Sequence, residues 1–408
     1  MARKKYRLVH VDDYERFIGA KAVNRIKEKA RPLREFHVSH VNSTYYGGGV
    51  AEMLSPLSLL MNDVGIKTGW RVIKGSPDFF RITKKMHNAL QGAHINLTEI
   101  KKKIYEKTIY ENAVRQNLDH DFVIIHDPQP LPIIEYSKRN GPWIWRCHID
   151  LSKPNRKLWN YLLPYILNYD AMIISIREYR KKIKIPQFFF MPAIDPFSIK
   201  NREMSDKEIK GRLNHYNIPT DLPLVVQVSR FDRWKDPLGV IKAFKTARRK
   251  VDATLVLLGN LATDDPEGFE VYQSLLEHRE ERIIISDRGD DTALVNALQR
   301  RAAVVLQKSI REGFGLAVTE AMWKGTPVVG GNVGGIRYQI KDGDNGFLVS
   351  SIQGAAERII QLIKDEKLRT QMGNRARESV RERFLMTYLL EKYLDLFNSF
   401  EILYRIKK

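Results

Sequence analysis

Cysteine is almost missing from this chain: Cys147 stands alone among 408 residues. One thiol forms no internal disulfide and builds no cysteine metal site. A cytoplasmic location is the expectation that follows. Long apolar runs are also missing. None approaches the roughly 20 residues that cross a bilayer, so no membrane span is expected. The opening stretch MARKKYRLVHVDDYERF starts basic but has no apolar core, so no signal peptide is expected. Acidic residues are the minority, 48 against 68 Lys and Arg, which leaves a net charge of +20. The basic residues are spread along the whole chain, without a dense tail or an aromatic–basic motif. That pattern argues against nucleic acid as the partner. It leaves a positive field for phosphorylated substrates, or a solubilising or thermophilic surface. There is no internal repeat, no low-complexity segment and no GxGxxG dinucleotide fingerprint.

What is present has the proportions of a soluble globular enzyme, 43% hydrophobic and 28% charged. At roughly 100–200 residues per domain, the length predicts two or three domains. Residues 14–31 carry apolar positions at helical spacing. A strand (36–41), a glycine run (Gly47–Gly49) and a helix closed by Gly65 follow, the opening unit of an open α/β domain. Short apolar runs of the buried parallel type recur at 69–73, 122–126, 143–148, 172–175 and 188–191. MPAIDP (191–196) reads as a linker between domains. Beyond it the alternation restarts, with strands at 224–228, 253–258, 282–286, 304–307, 327–329 and 346–349. Two helical stretches close the chain, 354–365 and 368–404. Ligands of doubly wound domains bind at the carboxyl ends of strands, so the cleft between the two domains is the expected site.

Four elements there carry chemistry. In SIREGFGLAVTEAMWKG, Glu312 precedes the glycines Gly313 and Gly315, and Glu320 lies about one turn into the helix that follows. Helix N–H groups and glycines suit a phosphate or sugar, and a carboxylate can meet both donors of a vicinal diol. The alternative is a surface pair and a helix cap. In QVSRFDRWKDP, Arg230 and Lys235 stand where both could reach one diphosphate; the alternative is loop charges. Gly48 and Gly49 could border the phosphates or simply form a tight turn. Polar residues leave the apolar strands at His126, Asp127 and Gln129 (VIIHDPQP) and at His148 and Asp150 (WRCHID), suited to sugar hydroxyls.

In this order the four elements resemble the retaining glycosyltransferases of GT-B architecture. HVNSTYYGGGVAEML, VIIHDPQP, PWIWRCHIDLSKPN, QVSRFDRWKDP and SIREGFGLAVTEAMWKG resemble, more narrowly, the trehalose glycosyltransferring synthases; trehalose phosphorylases of the same superfamily share much of this. The resemblance covers nearly the whole chain. It implies an α/β fold of two doubly wound Rossmann-like domains facing a cleft. The expected division is an acceptor-side domain (1–196), a nucleotide-sugar-binding domain (197–384) and a final helix (385–408) crossing back to the first domain. It implies reversible transfer from a nucleotide-diphosphate glucose to glucose, forming trehalose. ADP, UDP and GDP donors are equally compatible, and a homodimer is left open.

The implied roles follow the motifs. Arg230 and Lys235 hold the diphosphate, and Glu312 the donor-sugar hydroxyls, beside the amides of Gly313, Phe314, Gly315 and Leu316. Glu320 holds the ribose, and Gly48 and Gly49 lie near the phosphates. His148 touches the transferred glucose and, with Arg230, Lys235 and Glu312, makes the catalytic set; Asp127, Gln129 and Asp150 are acceptor-side candidates. Same-face attack is the route to retention that the resemblance implies, and the sequence singles out no carboxylate nucleophile. Closure about the linker is expected to exclude water. Asp342-Gly343-Asp344 reads as a turn, so no obligatory metal is expected, and Mg²⁺ would stimulate only through the nucleotide. Asp236 departs from the glycine that many relatives carry after the phosphate-binding lysine, and it adds a negative charge unless its side chain turns away. A binding protein without turnover, for nucleotide sugars or nucleic acid, is the reading from a different class.

Overall fold

The computed structural model describes residues 8–46, 48–260 and 266–407; Gly47, first of the glycine run, lies outside the described residues. The chain forms two compact units, 1–193 with 385–408, and 194–384.

The first unit holds a six-stranded sheet of β1 (His37–Asn42), β2 (Lys67–Val72), β3 (Phe122–His126), β4 (Trp143–Cys147), β5 (Ala171–Ile174) and β6 (Gln187–Phe189). Their order is β2-β1-β3-β4-β5-β6, and every pairing is parallel. β3, β4 and β5 are buried at every position. A parallel sheet covered on both faces needs apolar side chains on both, which is why FVIIH and WIWRC are nearly continuous apolar runs. The helix Met386–Lys407 belongs to this unit. It is pinned by Glu391, which takes Arg25 at 2.6 Å and Lys29 at 2.8 Å.

The second unit repeats the plan with β7 (Leu224–Val228), β8 (Thr254–Leu258), β9 (Ile283–Ser286), β10 (Ala302–Gln307), β11 (Val328–Gly331) and β12 (Phe347–Val349). The order is β12-β11-β10-β7-β8-β9, again all parallel. In each sheet the order in which successive strands are added reverses once, between β1 and β3 in the first and between β7 and β10 in the second. The loops leaving those neighbouring strands part to opposite sides, which opens a crevice at the carboxyl ends. The loop after β7 carries Arg230 and Lys235, and the loop after β10 carries Glu312. The loop after β1 leads to Gly48, and that after β3 carries Asp127.

Two helical expectations need correction. The stretch expected as one helix over 368–404 is two, Glu366–Arg383 in the second unit and Met386–Lys407 in the first. Phe384 leaves the helix at φ −131°, ψ 15°, and its carbonyl accepts the Ile194 N–H at 2.8 Å. No glycine or proline marks the break, since two buried apolar residues, Phe384 and Leu385, make it by packing. The N-terminal helix is interrupted at Gly19, whose φ of 79° only glycine adopts easily. The helix Asp206–His215 was not anticipated, although Ser205 and Glu208 form the capping box that announces it.

Candidate active site

In the second unit the loop after β7 folds into a short 3₁₀ turn, Arg233–Lys235, because Asp232 caps it through the Trp234 N–H at 2.8 Å. The loop after β10 is tied to it by the Ile310 N–H, which donates to the Trp234 carbonyl at 2.7 Å. This brings the Lys235 ammonium to 2.6 Å from Glu312 Oε2. Ser309 Oγ donates to the same oxygen at 3.2 Å, and Gln307 Nε2 donates to Ser309 at 3.2 Å. Glu312 is therefore a buried, oriented carboxylate. One of the three Lys235 protons meets it, and the ammonium carries two more. Arg230 stands further out, with its side chain 41% exposed and only a loose approach to Asp232 at 3.8 Å.

Gly315 caps the helix Leu316–Trp323 with φ 88° and ψ 65°. A Cβ there would lie 3.1 Å from Glu312 Cγ, so glycine allows both the left-handed turn and the carboxylate beside it. Phe314 is buried, and its carbonyl accepts Gln339 Nε2 at 2.6 Å. Gly313 and Leu316 are half-buried on either side of it.

Glu320 is neither a surface residue nor half of an exposed pair. It is 2% exposed; Oε1 meets the Lys200 ammonium at 3.1 Å, while Oε2 is buried with no hydrogen-bond partner. Below it Lys324 donates to Asn201 Oδ1 at 3.0 Å, Gln299 Oε1 at 2.8 Å and the Glu320 carbonyl at 3.2 Å. Burial pushes the Lys324 ammonium down to about 7. Asn201 is held again through its carbonyl by Trp323 Nε1 at 3.2 Å, which fixes the segment that carries Lys200.

Asp236 turns away from Lys235. It adopts φ 52°, caps the helix Pro237–Ala247 through the Gly239 N–H at 3.1 Å, and pairs with Lys308. The left-handed φ accounts for glycine being the usual choice there, and aspartate is among the residues that tolerate it. Asp342 and Asp344 lie in a turn, where Asp342 Oδ1 accepts the Leu348 N–H at 2.9 Å and Asp344 pairs with Arg375 at 3.0 Å.

In the first unit Gly48 caps the helix Gly49–Asp63 with φ 88°. Asp127 follows β3 in the left-handed region at φ 61°. Three bonds hold this strained residue to β4. Its N–H donates to the Arg146 carbonyl at 2.8 Å, its carbonyl accepts Trp145 Nε1 at 2.9 Å, and its Oδ1 accepts the His148 N–H at 2.7 Å. Burial raises its carboxyl to about 7. Gln129 is half-buried in the same loop, and Asp150 is buried, with Oδ1 accepting the Ser152 N–H at 2.8 Å. The His148 and His126 rings are nearly parallel, 13° apart, and lie end to end with centroids 5.3 Å apart.

The structure thus brings Lys235, Glu312 and the Gly313–Leu316 turn together in one unit, and Asp127 and His148 together in the other. It adds three residues to which the sequence reading assigned no role. Ser309 lay unmarked inside a motif, Lys200 is 120 positions from Glu320, and His40 sits inside β1, where nothing in the local pattern distinguishes it.

A family model described as "Trehalose synthase, N-terminal domain" matches residues 40–181, and one described as "Glycosyl transferases group 1" matches residues 212–379. The trehalose synthase of Thermococcus litoralis is 44% identical over 96% of this chain and 97% of its own length. The chain belongs to the trehalose synthase family of glycosyltransferases. The trehalose phosphorylase of Grifola frondosa is more distant from this trehalose synthase family member, 28% identical over 91% of this chain and 58% of its own length. The sucrose-phosphate synthase of Thermosynechococcus elongatus superposes with a TM-score of 0.70 at 17% identity, covering 90% of this chain and 99% of that one. That likeness speaks for the fold, which is GT-B, two Rossmann-like domains in one chain. Among the described residues no helix is long and apolar enough to cross a membrane.

Proposed function

We propose that the chain transfers glucose from a nucleotide-diphosphate glucose to free glucose, forming trehalose reversibly and with retention at the anomeric carbon. The observation that carries this reading is Glu320, a carboxylate buried beside a helix-leading glycine turn, with one oxygen on Lys200 and the other unpartnered. A buried acceptor without a donor is costly, and a ribose diol supplies the donors it lacks. Inorganic phosphate, the alternative co-substrate, carries no such diol.

In this reading Arg230, Lys235 and the N-terminal amides of the helix Leu316–Trp323 hold the diphosphate. Charge builds on that group as the anomeric bond breaks, and fixed cations stabilise the transition state more than the ground state. Glu312, oriented by Lys235 and Ser309, accepts hydrogen bonds from the donor-sugar hydroxyls. His148 lies at the transferred glucose, with Asp127, Gln129 and Asp150 on the acceptor side. The acceptor hydroxyl attacks from the face the diphosphate leaves, and the departing phosphate oxygen takes its proton. A divalent cation enters only as a counterion of the nucleotide.

The test is a product assay with ADP-, UDP- and GDP-glucose, and separately glucose 1-phosphate, against a panel of sugar acceptors, with the linkage assigned by NMR. Trehalose formed from a nucleotide donor and glucose is the expected result. Turnover from glucose 1-phosphate alone would make the protein a phosphorylase. Trapping a covalent glucosyl-enzyme would replace same-face attack with double displacement.

A further inference from the structure

Behind His148 the first unit holds a file of three imidazoles. His148 Nε2 lies 2.9 Å from His126 Nδ1, and His126 Nε2 lies 3.0 Å from His40 Nδ1. The file ends at His40 Nε2, which is buried and has no hydrogen-bond partner. His40 and His126 are themselves wholly buried, and His148 is half-buried. Arg146, also buried, lies among them and is held by Tyr393 Oη at 2.5 Å. Tyr393 stands edge-on to His40 at 5.8 Å, and Asp127 takes the His148 backbone N–H. Burial first, with the Arg146 charge among the further causes, lowers all three imidazoles, His40 to about 3.

A neutral imidazole has one donor nitrogen and one acceptor nitrogen. Three such rings in file admit only two proton registers. In one, His40 donates to His126, His126 donates to His148 Nε2, and His148 is left with a proton on Nδ1. In the other every bond reverses, and His148 offers a bare Nδ1. The buried end of the file decides between them. The first register leaves a lone pair at His40 Nε2, whereas the second leaves an N–H there. An orphaned buried N–H is the rarer and costlier of the two, and a nearby guanidinium favours a lone pair over a second positive dipole.

We propose that His40 and His126 are positioning residues that lock His148 in the Nδ1–H tautomer, so that it faces the site as an obligatory hydrogen-bond donor. His148 then selects a ligand atom with an available lone pair, such as a hydroxyl oxygen of the transferred sugar. This step rests on the reading of His148 under Proposed function; the tautomer itself does not.

The test is ¹⁵N NMR of the full chain labelled at histidine, recorded at neutral pH without ligand. The expected spectrum has His148 protonated on Nδ1 and bare on Nε2. His126→Leu should move His148 toward the other tautomer and lower kcat ~10-fold, the worth of one misdirected hydrogen bond, with the donor KM little changed. His126→Gln should restore both, because its amide can accept from His40 and donate to His148. A His148 ring carrying its proton on Nε2 in the unsubstituted protein overturns the proposal, whatever the variants do. If the expected tautomer is seen but His148→Ala leaves turnover unchanged, the lock stands and the placement of His148 at the sugar falls.

Discussion

Charge and burial separate the two diphosphate candidates. Arg230 is well exposed and only loosely paired, whereas Lys235 is 17% exposed and bound to Glu312. Alanine at either should lower kcat by about 100-fold or more, read from steady-state kinetics, if each supplies a cation to the leaving group as proposed. Only Lys235→Ala should also lower thermal stability, by about 1–3 kcal/mol, since it weakens the support of a buried carboxylate. Glu320→Ala should raise the KM for the nucleotide donor about 10- to 100-fold, the loss of charge-assisted hydrogen bonds to the ribose. Lys200→Met should act in the same direction and less strongly. A donor KM unmoved by both changes would remove the ribose from this pocket. Glu312 and Glu320 could be picked out of the sequence because their glycine turn lies next to them. Lys200 could not, because its pairing depends on Asn201 being held by Trp323 and Lys324 from a distant helix.

The element scale is governed by how loops start helices. Asp236 serves as both the left-handed residue and the cap of Pro237–Ala247. Asp236→Ala should cost about 1–2 kcal/mol for the cap and a further ~1 kcal/mol for the strained φ. Asp236→Gly should cost only a few tenths, because glycine accepts the conformation. Chemical denaturation of the two variants decides this, and an equal loss in both would show that the backbone conformation is not what matters. Strands are legible in the sequence at this scale; β3 and β7 begin and end where the apolar runs do. Periodicity and burial coincide there, since both faces of a parallel sheet are covered. The break at Phe384 leaves no local mark in the sequence because it is made by tertiary packing, and helical periodicity continues across it.

Across the whole molecule, buried titratable groups make the stability of the two units respond to pH in different windows. In the first, His40, His126 and His148 are lowered from an ordinary value near 6.5. The unfolded chain then binds more protons than the folded one, so stability rises as pH climbs to about 6.5, starting from about 3 for His40, and levels off above. Asp127, raised to about 7, opposes this between its ordinary value and 7, and Asp127→Asn should therefore steepen the loss in acid. In the second unit Lys324, lowered to about 7 from 10.5, makes stability rise through that higher window. Scanning calorimetry across pH should show the first unit's transition falling in acid and the second's climbing in alkali. A common shift of both would break the assignment. Taken by itself, the order of residues determined the two α/β units, their strands and the glycine turn between Glu312 and Glu320, because those depend on periodicity, glycine turns and charges adjacent in the chain. Only the tertiary structure decided which carboxylate oxygen lacks a partner, which lysine supports it and how three histidines from β1, β3 and the end of β4 line up. Those facts depend on burial and on contacts between strands far apart in sequence, which no local pattern records.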